Sequence, residues 1–271
     1  MSPLLGNTLG WESLNHPEHV ALMNFPIFVF ALTFVVLLLA AAIGDILRRK
    51  IQALNDVARD DFGVVQNATL TLLGLLIGFS FSMAISRYDQ RKSYEEAEAN
   101  AIGTEYVRAD LLPAGDSTKT RDLLRKYLDR RILFYTTRDD SQLAQIEKET
   151  VTLQNQLWVA IQPAAAANPN PVMALVVSGM NDVLNSQGYT QAAWWNRIPV
   201  AAWALMAAIA VSCNLLLGYG AHERDWRTLL IFPIVVSIAF FLVSDLDSPR
   251  GGTIRVAPQN LISLSQSLQK Q

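Results

Sequence analysis

Four stretches of the chain are almost purely apolar and long enough to cross a lipid bilayer. They run from about Phe25 to Leu47, Ala68 to Ser86, Ile198 to Gly220 and Leu229 to Asp247. A helix that spans the hydrocarbon core needs about 20 mostly apolar residues, and each stretch is nearly free of charge until its end. A buried core helix could explain one such stretch. Four of them predict a multi-pass helical membrane protein.

A long polar segment separates the second and third spans, and its pattern is helical. The second span continues into charged sequence with no helix breaker until Pro113. Apolar residues then recur at three- and four-residue spacing from Leu143 to Ile161, as in an amphipathic helix. The Pro/Ala/Asn-rich stretch 162–171 is interpreted as a linker. The pattern predicts an all-α membrane protein with four transmembrane helices and a helical extramembrane domain inserted between spans 2 and 3.

These boundaries divide the chain into five segments: an N-terminal segment 1–24, transmembrane helices 1 and 2 in 25–86, a helical extramembrane domain 87–195, transmembrane helices 3 and 4 in 196–247, and a C-terminal segment 248–271. In the last segment, Leu261, Leu264 and Leu268 share one helical face. This spacing predicts a short amphipathic helix docked on the extramembrane domain.

Composition supports a membrane protein and argues against metal and nucleic-acid sites. Hydrophobic residues make up 51% of the chain and charged residues 17%, whereas soluble domains carry about 25% charged residues. The formal net charge of -2 gives no general attraction to nucleic acid. One cysteine and three histidines, Cys213, His16, His19 and His222, have no metal-ligand spacing. No metal and no cofactor are predicted.

No catalytic arrangement is evident in the polar segment. Its acidic helix carries Glu95, Glu96, Glu98 and Glu105, but no histidine or activated nucleophile lies near them in sequence. We interpret these four acids as a solvated helix face, and we do not expect an enzyme.

Small residues follow one face of the second span. Gly74, Gly78, Ser82 and Ser86 recur at every fourth position. Small side chains let helix backbones approach closely inside a bilayer, where packing replaces the hydrophobic drive. The stripe therefore predicts a helix-packing seam.

A large apolar stripe flanks this seam, about 100° away around the helix. It consists of Leu73, Ile77 and Phe81, with Ser80 on a neighbouring face. If the seam faces another subunit, these residues can line a pore and form an apolar constriction. Alternatively, the small residues pack within one subunit and the apolar stripe faces lipid. Both arrangements remain open.

The fourth span ends in the sequence SDLDSPRGG, which places Asp245 and Asp247 close to Arg250. Carboxylates at the membrane edge need pairing, hydration or a bound cation. Their oxygens suit a hard cation such as Ca²⁺, or they can pair with Arg250 and with Arg87 at the end of the second span. We favour the salt-bridge interpretation over the cation site.

Two motifs resemble a bacterial bestrophin-like membrane family. They are LLGLLIGFSFSMAISRYDQRK at the end of the second span and SDLDSPRGGTIRVAPQNLISL after the fourth. The resemblance implies four spans, a helical domain on the cytoplasmic side and a pentamer whose central pore is lined by the second span. Counting basic residues near the span ends does not decide the orientation, so the cytoplasmic assignment depends on the resemblance.

The chain departs from true bestrophin anion channels, to which it is more distantly similar. Those channels carry Arg after the Gly-Phe pair, where this chain has Ser80, and paired Trp where it has Tyr88 and Asp89. Anion selectivity is therefore not implied. Asp245 and Asp247 near the exit would instead favour cations, which leaves the sign of the permeant ion open.

The sequence as a whole predicts an oligomeric bestrophin-like ion channel in the bacterial inner (plasma) membrane. Its expected partners are further copies of the chain, in a pentamer, together with membrane lipids and inorganic ions, but no nucleic acid. The alternative is a non-conducting membrane scaffold or accessory subunit whose helical domain binds a partner.

Overall fold

The computed structural model describes residues 25–50, 56–220 and 226–270. Within these ranges the chain forms eight α-helices and no β-strand: α1 (Pro26–Lys50), α2 (Asp56–Arg108), α3 (Ala114–Thr136), α4 (Asp140–Ala167), α5 (Pro171–Trp195), α6 (Val200–Gly220), α7 (Trp226–Asp247) and α8 (Gln259–Gln269). The predicted all-α class is confirmed.

Among the described residues, four helical stretches are long and apolar enough to cross a membrane. They lie within Pro26–Lys50, Asp61–Leu111, Pro171–Gly220 and Leu230–Asp247. They match the four spans that the sequence predicts. The four-span helical class is therefore confirmed.

Helix α2 continues far beyond its apolar part. It contains 53 residues without interruption, which corresponds to a length of roughly 80 Å at 1.5 Å per residue. A 3₁₀ turn over Ala109–Leu111 follows, and Pro113 precedes α3. Since a bilayer core is only about 30 Å thick, α2 is both a membrane span and an extramembrane helix, as the unbroken sequence predicts.

The predicted linker at 162–171 is wrong for most of its length. Helix α4 continues through Pro163 to Ala167, because the alanines around this proline favour helix strongly enough to tolerate one missing backbone donor. Only three residues separate α4 from α5. The last of them, Asn170, accepts a hydrogen bond from the Met173 N–H at 2.9 Å and caps α5.

The chain forms two compact units. The first ends at Ala84 and resumes over Ile198–Ile254; the second comprises Ile85–Arg197 and continues from Arg255. In the first unit, α1 packs on α6 and α7. Two glycines allow backbone contact between α1 and α6: a Cβ atom at Gly218 would lie 2.8 Å from the carbonyl carbon of Ala41, and one at Gly44 would lie 2.8 Å from the Tyr219 nitrogen.

Replacing Gly218 with valine should separate α1 from α6, because the new side chain meets backbone that cannot rotate away. Overpacking of this kind costs about 1–3 kcal/mol, sometimes more. Thermal unfolding of the detergent-solubilised protein measures the loss. Gly63→Val is the matched control, since among the described residues no atom outside the local helix backbone lies within 4 Å of a Cβ there. An equal loss in both variants would contradict the close packing.

The second unit has an apolar core shared by α2, α3, α4, α5 and α8. Helix α8 is the short amphipathic helix that the sequence predicts: Leu261 and Leu268 are buried, and Leu264 packs against this core. A Cβ at Gly103 of α2 would lie 3.1 Å from a Leu264 methyl group, so α8 lies close to α2.

Candidate functional site

The small-residue seam on α2 is uncovered in the single chain. Gly74, Gly78, Ser82 and Ser86 are all exposed. Among the described residues, no atom outside the local helix backbone lies within 4 Å of a Cβ built at Gly74 or Gly78. At these two glycines, the single chain therefore does not show the alternative in which the small residues pack inside one subunit.

The predicted pore-lining residues lie in different environments. Leu73 is 1% exposed and Ser80 is 5% exposed, so atoms of the same chain cover both side chains. Ile77 is half-buried, whereas Phe81 is 36% exposed. Burial within its own chain argues against a side chain facing an axis shared with other copies. It therefore argues against Leu73 and Ser80 as pore-lining residues, and the pore lining stays a prediction.

Other apolar side chains of α2 are open on the opposite flank of the seam. Phe79 is 61% exposed, Leu75 is 53% exposed and Met83 is 40% exposed. They follow Gly74, Gly78 and Ser82 by one residue each and recur at every fourth position, so they form one stripe. We call Leu75, Phe79 and Met83 the open apolar stripe. The sequence contained this spacing, but only the structure shows which flank is covered.

The carboxylates at the end of α7 accept backbone hydrogen bonds. Asp245 Oδ1 accepts from the Thr253 N–H at 2.7 Å, and its Oδ2 accepts from the Ile254 N–H at 2.8 Å and from the Thr253 hydroxyl at 3.0 Å. Both oxygens of Asp247 accept from the Ile198 N–H, at 3.0 and 3.2 Å. Asp245 thus holds the turn after α7, and Asp247 holds the chain entering α6.

Sequence reasoning missed these backbone donors, because a main-chain N–H group leaves no signature in the sequence. In the part of the chain that the structure describes, no three His, Cys, Asp or Glu side chains are grouped as metal ligands. The cation site and the salt bridges proposed for Asp245, Asp247, Arg250 and Arg87 stay predictions.

Three of the four acids interpreted as a solvated helix face are buried, so that interpretation is wrong. Glu95 is 1% exposed, and Glu98 and Glu105 are 0% exposed; only Glu96 is exposed. The three buried acids share a stripe with Ile102, at spacings of three and four residues. This spacing is the signal that could have predicted their burial.

Glu98 belongs to a buried polar network. Both it and Arg131 of α3 are fully buried and form an ion pair, and Arg131 Nη2 lies 3.4 Å from Glu98 Oε2. The same oxygen accepts hydrogen bonds from the Tyr135 hydroxyl at 3.3 Å and the Thr190 hydroxyl at 3.2 Å. Burial would lower the pKa of the Arg131 guanidinium, but the adjacent Glu98 carboxylate raises it overall.

Glu95 joins α2 to the C-terminal helix. Its carboxylate accepts hydrogen bonds from the N–H groups of Asn260 and Leu261, both at 3.0 Å, and from the Asn260 side-chain amide at 2.7 Å. A negative charge at a helix N-terminus is stabilised by the helix dipole and its free N–H groups. At the other end of α8, Arg125 donates to the Leu268 carbonyl at 3.2 Å.

Comparison with known proteins gives one family for nearly the whole chain. The sequence model of the Bestrophin-like domain matches residues 27–261. No curated protein sequence matches the chain.

Solved structures similar to this fold include variants of a bacterial bestrophin homologue from Klebsiella pneumoniae. One variant is 14% identical, with a TM-score of 0.62 and coverage of 89% of this chain and 94% of that chain. A second is also 14% identical, with a TM-score of 0.62 and coverage of 90% and 98%. A structure described as a membrane protein is 13% identical, with a TM-score of 0.63 and coverage of 89% and 97%. These similarities establish a shared fold.

Proposed function

Because the chain belongs to the bestrophin-like family, we propose that it forms a homo-oligomeric ion channel in the bacterial inner membrane, with α2 surrounding the central axis. The observation that carries this proposal is the uncovered seam at Gly74 and Gly78, flanked by the open apolar stripe. A pentamer is the assembly that the bestrophin resemblance implies. The same resemblance implies, and we propose, that the helical domain 87–195 lies on the cytoplasmic side.

The seam argues for a second copy rather than for lipid. In a bilayer, helices associate through close packing, and small residues at an interface allow that packing. Lipid chains would gain little from a glycine stripe, because lipid fills an irregular surface whatever its shape. A neighbouring α2 or another helix of the next subunit fits the seam more closely.

If a helix of the next subunit packs on the seam, its position also determines which side chains of α2 face the axis. The flank that carries Leu73 and Ser80 is covered by the chain itself. The other flank carries the open apolar stripe, so we assign the pore constriction to Leu75 and Phe79, with Met83 one turn further along. Rings of such side chains form a narrow apolar passage that ions cross only when it widens or becomes wet.

These positions carry no fixed charge, so the constriction itself does not determine the sign of the permeant ion. Asp245 and Asp247 are engaged with backbone donors, which reduces the negative charge they can present to an ion. We therefore expect modest selectivity between anions and cations.

Native mass measurement of the detergent-solubilised protein tests the assembly. The wild type should be an oligomer, and Gly78→Leu should reduce it largely to monomer, because leucine would separate the seam. Gly188→Leu is a control outside the span, at another glycine where no described atom beyond the local helix backbone lies within 4 Å of a Cβ built there. A wild type that is only monomeric would contradict both the seam and the pore.

Ion flux from liposomes separates the channel from the scaffold. An oligomer that conducts supports the proposal. An oligomer without flux under any ionic condition would leave the membrane scaffold or accessory subunit, in which α2 packs against copies for structural reasons alone.

A further inference from the structure

Glu105 differs from the other two buried acids on α2 because no described residue donates a hydrogen bond to it. Its side chain is 0% exposed, and in the described part of the chain neither carboxylate oxygen accepts a hydrogen bond. By contrast, the Glu95 carboxylate accepts three hydrogen bonds. Glu98 forms an ion pair with Arg131. An ionised carboxylate buried without donors is costly, whereas a neutral carboxyl group is much less so.

Helix α5 packs against Glu105 at Gly179. A Cβ atom at Gly179 would overlap Glu105 Oε2 and Arg108 Nη1, so α5 lies directly on the carboxyl group. The charged groups that act on Glu105 are Arg108, one turn along its own helix, and Asp182 of α5. Arg108 is engaged elsewhere, donating to the Leu175 carbonyl of α5 at 3.3 Å.

We propose that Glu105 is a proton-controlled clasp between α2 and α5. When the carboxyl group is protonated it is neutral, and α5 stays closed over it at Gly179. When it ionises, the buried charge favours an arrangement in which water reaches it or Arg108 leaves the Leu175 carbonyl to pair with it. Either response loosens the contact of α5 with the end of α2.

The expected pH window follows from the environment of Glu105. Burial raises its pKa to about 8; Arg108 lowers it and Asp182 raises it further. An exposed glutamate loses its proton at a pKa near 4.5, so the opened state ionises first as the pH rises. The clasp is therefore at full strength below about pH 4.5, weakens as the pH rises, and levels off above about pH 8.

Hydrogen–deuterium exchange over residues 171–185 of α5 tests the clasp. After correction for the chemical exchange rate, opening in the wild type should increase roughly 100-fold between pH 6 and pH 9, from the two pKa values above. Glu105→Gln keeps the shape without the charge, so its opening should hardly change with pH. Glu96→Gln, at the exposed acid of the same helix, should behave as the wild type. The same pH dependence in the wild type and in Glu105→Gln would overturn the proposal.

An infrared titration of the wild type keeps the test decisive if Glu105→Gln does not fold. With isotopically labelled glutamate, the protein should show a protonated glutamate carboxyl at pH 7 that disappears towards pH 9. No protonated glutamate at pH 7 would overturn the clasp. Both measurements are independent of conduction, so a protein without flux would contradict the proposed channel and leave the clasp intact.

Discussion

Arg131→Met is expected to destabilise the second unit by about 3–5 kcal/mol, the cost of leaving a buried charge without its partner. Glu98 and Arg131 are both 0% exposed, so water cannot replace the lost guanidinium. The Tyr135 and Thr190 hydroxyls would remain as donors to Glu98, but neither carries a charge. Denaturant unfolding of the solubilised protein, followed by tryptophan fluorescence, measures the change.

The neighbouring arginine provides a matched control for Arg131. Arg130 lies 3.0 Å from Glu149, but the two side chains are 40% and 38% exposed, and exposed pairs of this kind contribute about 0–1 kcal/mol. Arg130→Met should therefore change stability little. The double variant Glu98→Gln, Arg131→Met should recover much of the loss, because no unpaired charge remains. Equal losses for Arg130→Met and Arg131→Met would contradict a structural role for the buried pair.

The helices were predictable because their signals are local. Each span is an unbroken apolar run, and the continuity of α2 follows from the absence of a breaker before Pro113. Helix α8 was predictable for the same reason, since its three leucines share one face. The extent of α4 was not, because proline is usually read as an end, although Pro163 lies inside the helix.

The burial of the acids depends on partners distant in sequence. Glu98 is buried because Arg131, 33 positions later, and Thr190, 92 positions later, converge on it. No local pattern identifies those partners. Local spacing could have shown only that these acids share a face with Ile102. That pattern argues against a solvated face, but it does not predict an ion pair.

The pore assignment shows the same limit. Periodicity placed a seam at Gly74 and Gly78 and left two flanks that could face an axis, because a helix has an apolar residue on either side of almost any stripe. Which flank the chain covers is a tertiary property. The burial of Leu73 and Ser80 argues against one flank, and the exposure of Leu75 and Phe79 favours the other as the proposed pore lining.

Phe79→Ala is expected to raise ion flux about tenfold, which corresponds to lowering the barrier by about 1.4 kcal/mol. Phe79 is the most exposed of the three side chains in the open apolar stripe, at 61%. If five copies surround an axis, its removal widens and wets the constriction at one level. Leu75→Ala should act in the same direction with a smaller effect, since leucine is smaller than phenylalanine. Flux from liposomes that hold equal amounts of oligomer measures both.

Two alanine variants separate the pore from general loosening of the membrane helices. Leu73→Ala removes a side chain of the same helix that its own chain covers, and Leu39→Ala removes one from α1 that is 57% exposed. Neither position faces the proposed axis, so neither should raise flux, although Leu73→Ala should lower stability by about 2–5 kcal/mol through the cavity it leaves. If Leu73→Ala raised flux and Phe79→Ala did not, the constriction would lie on the other flank of the seam. Zero flux in the wild type and in every variant would remove the channel altogether.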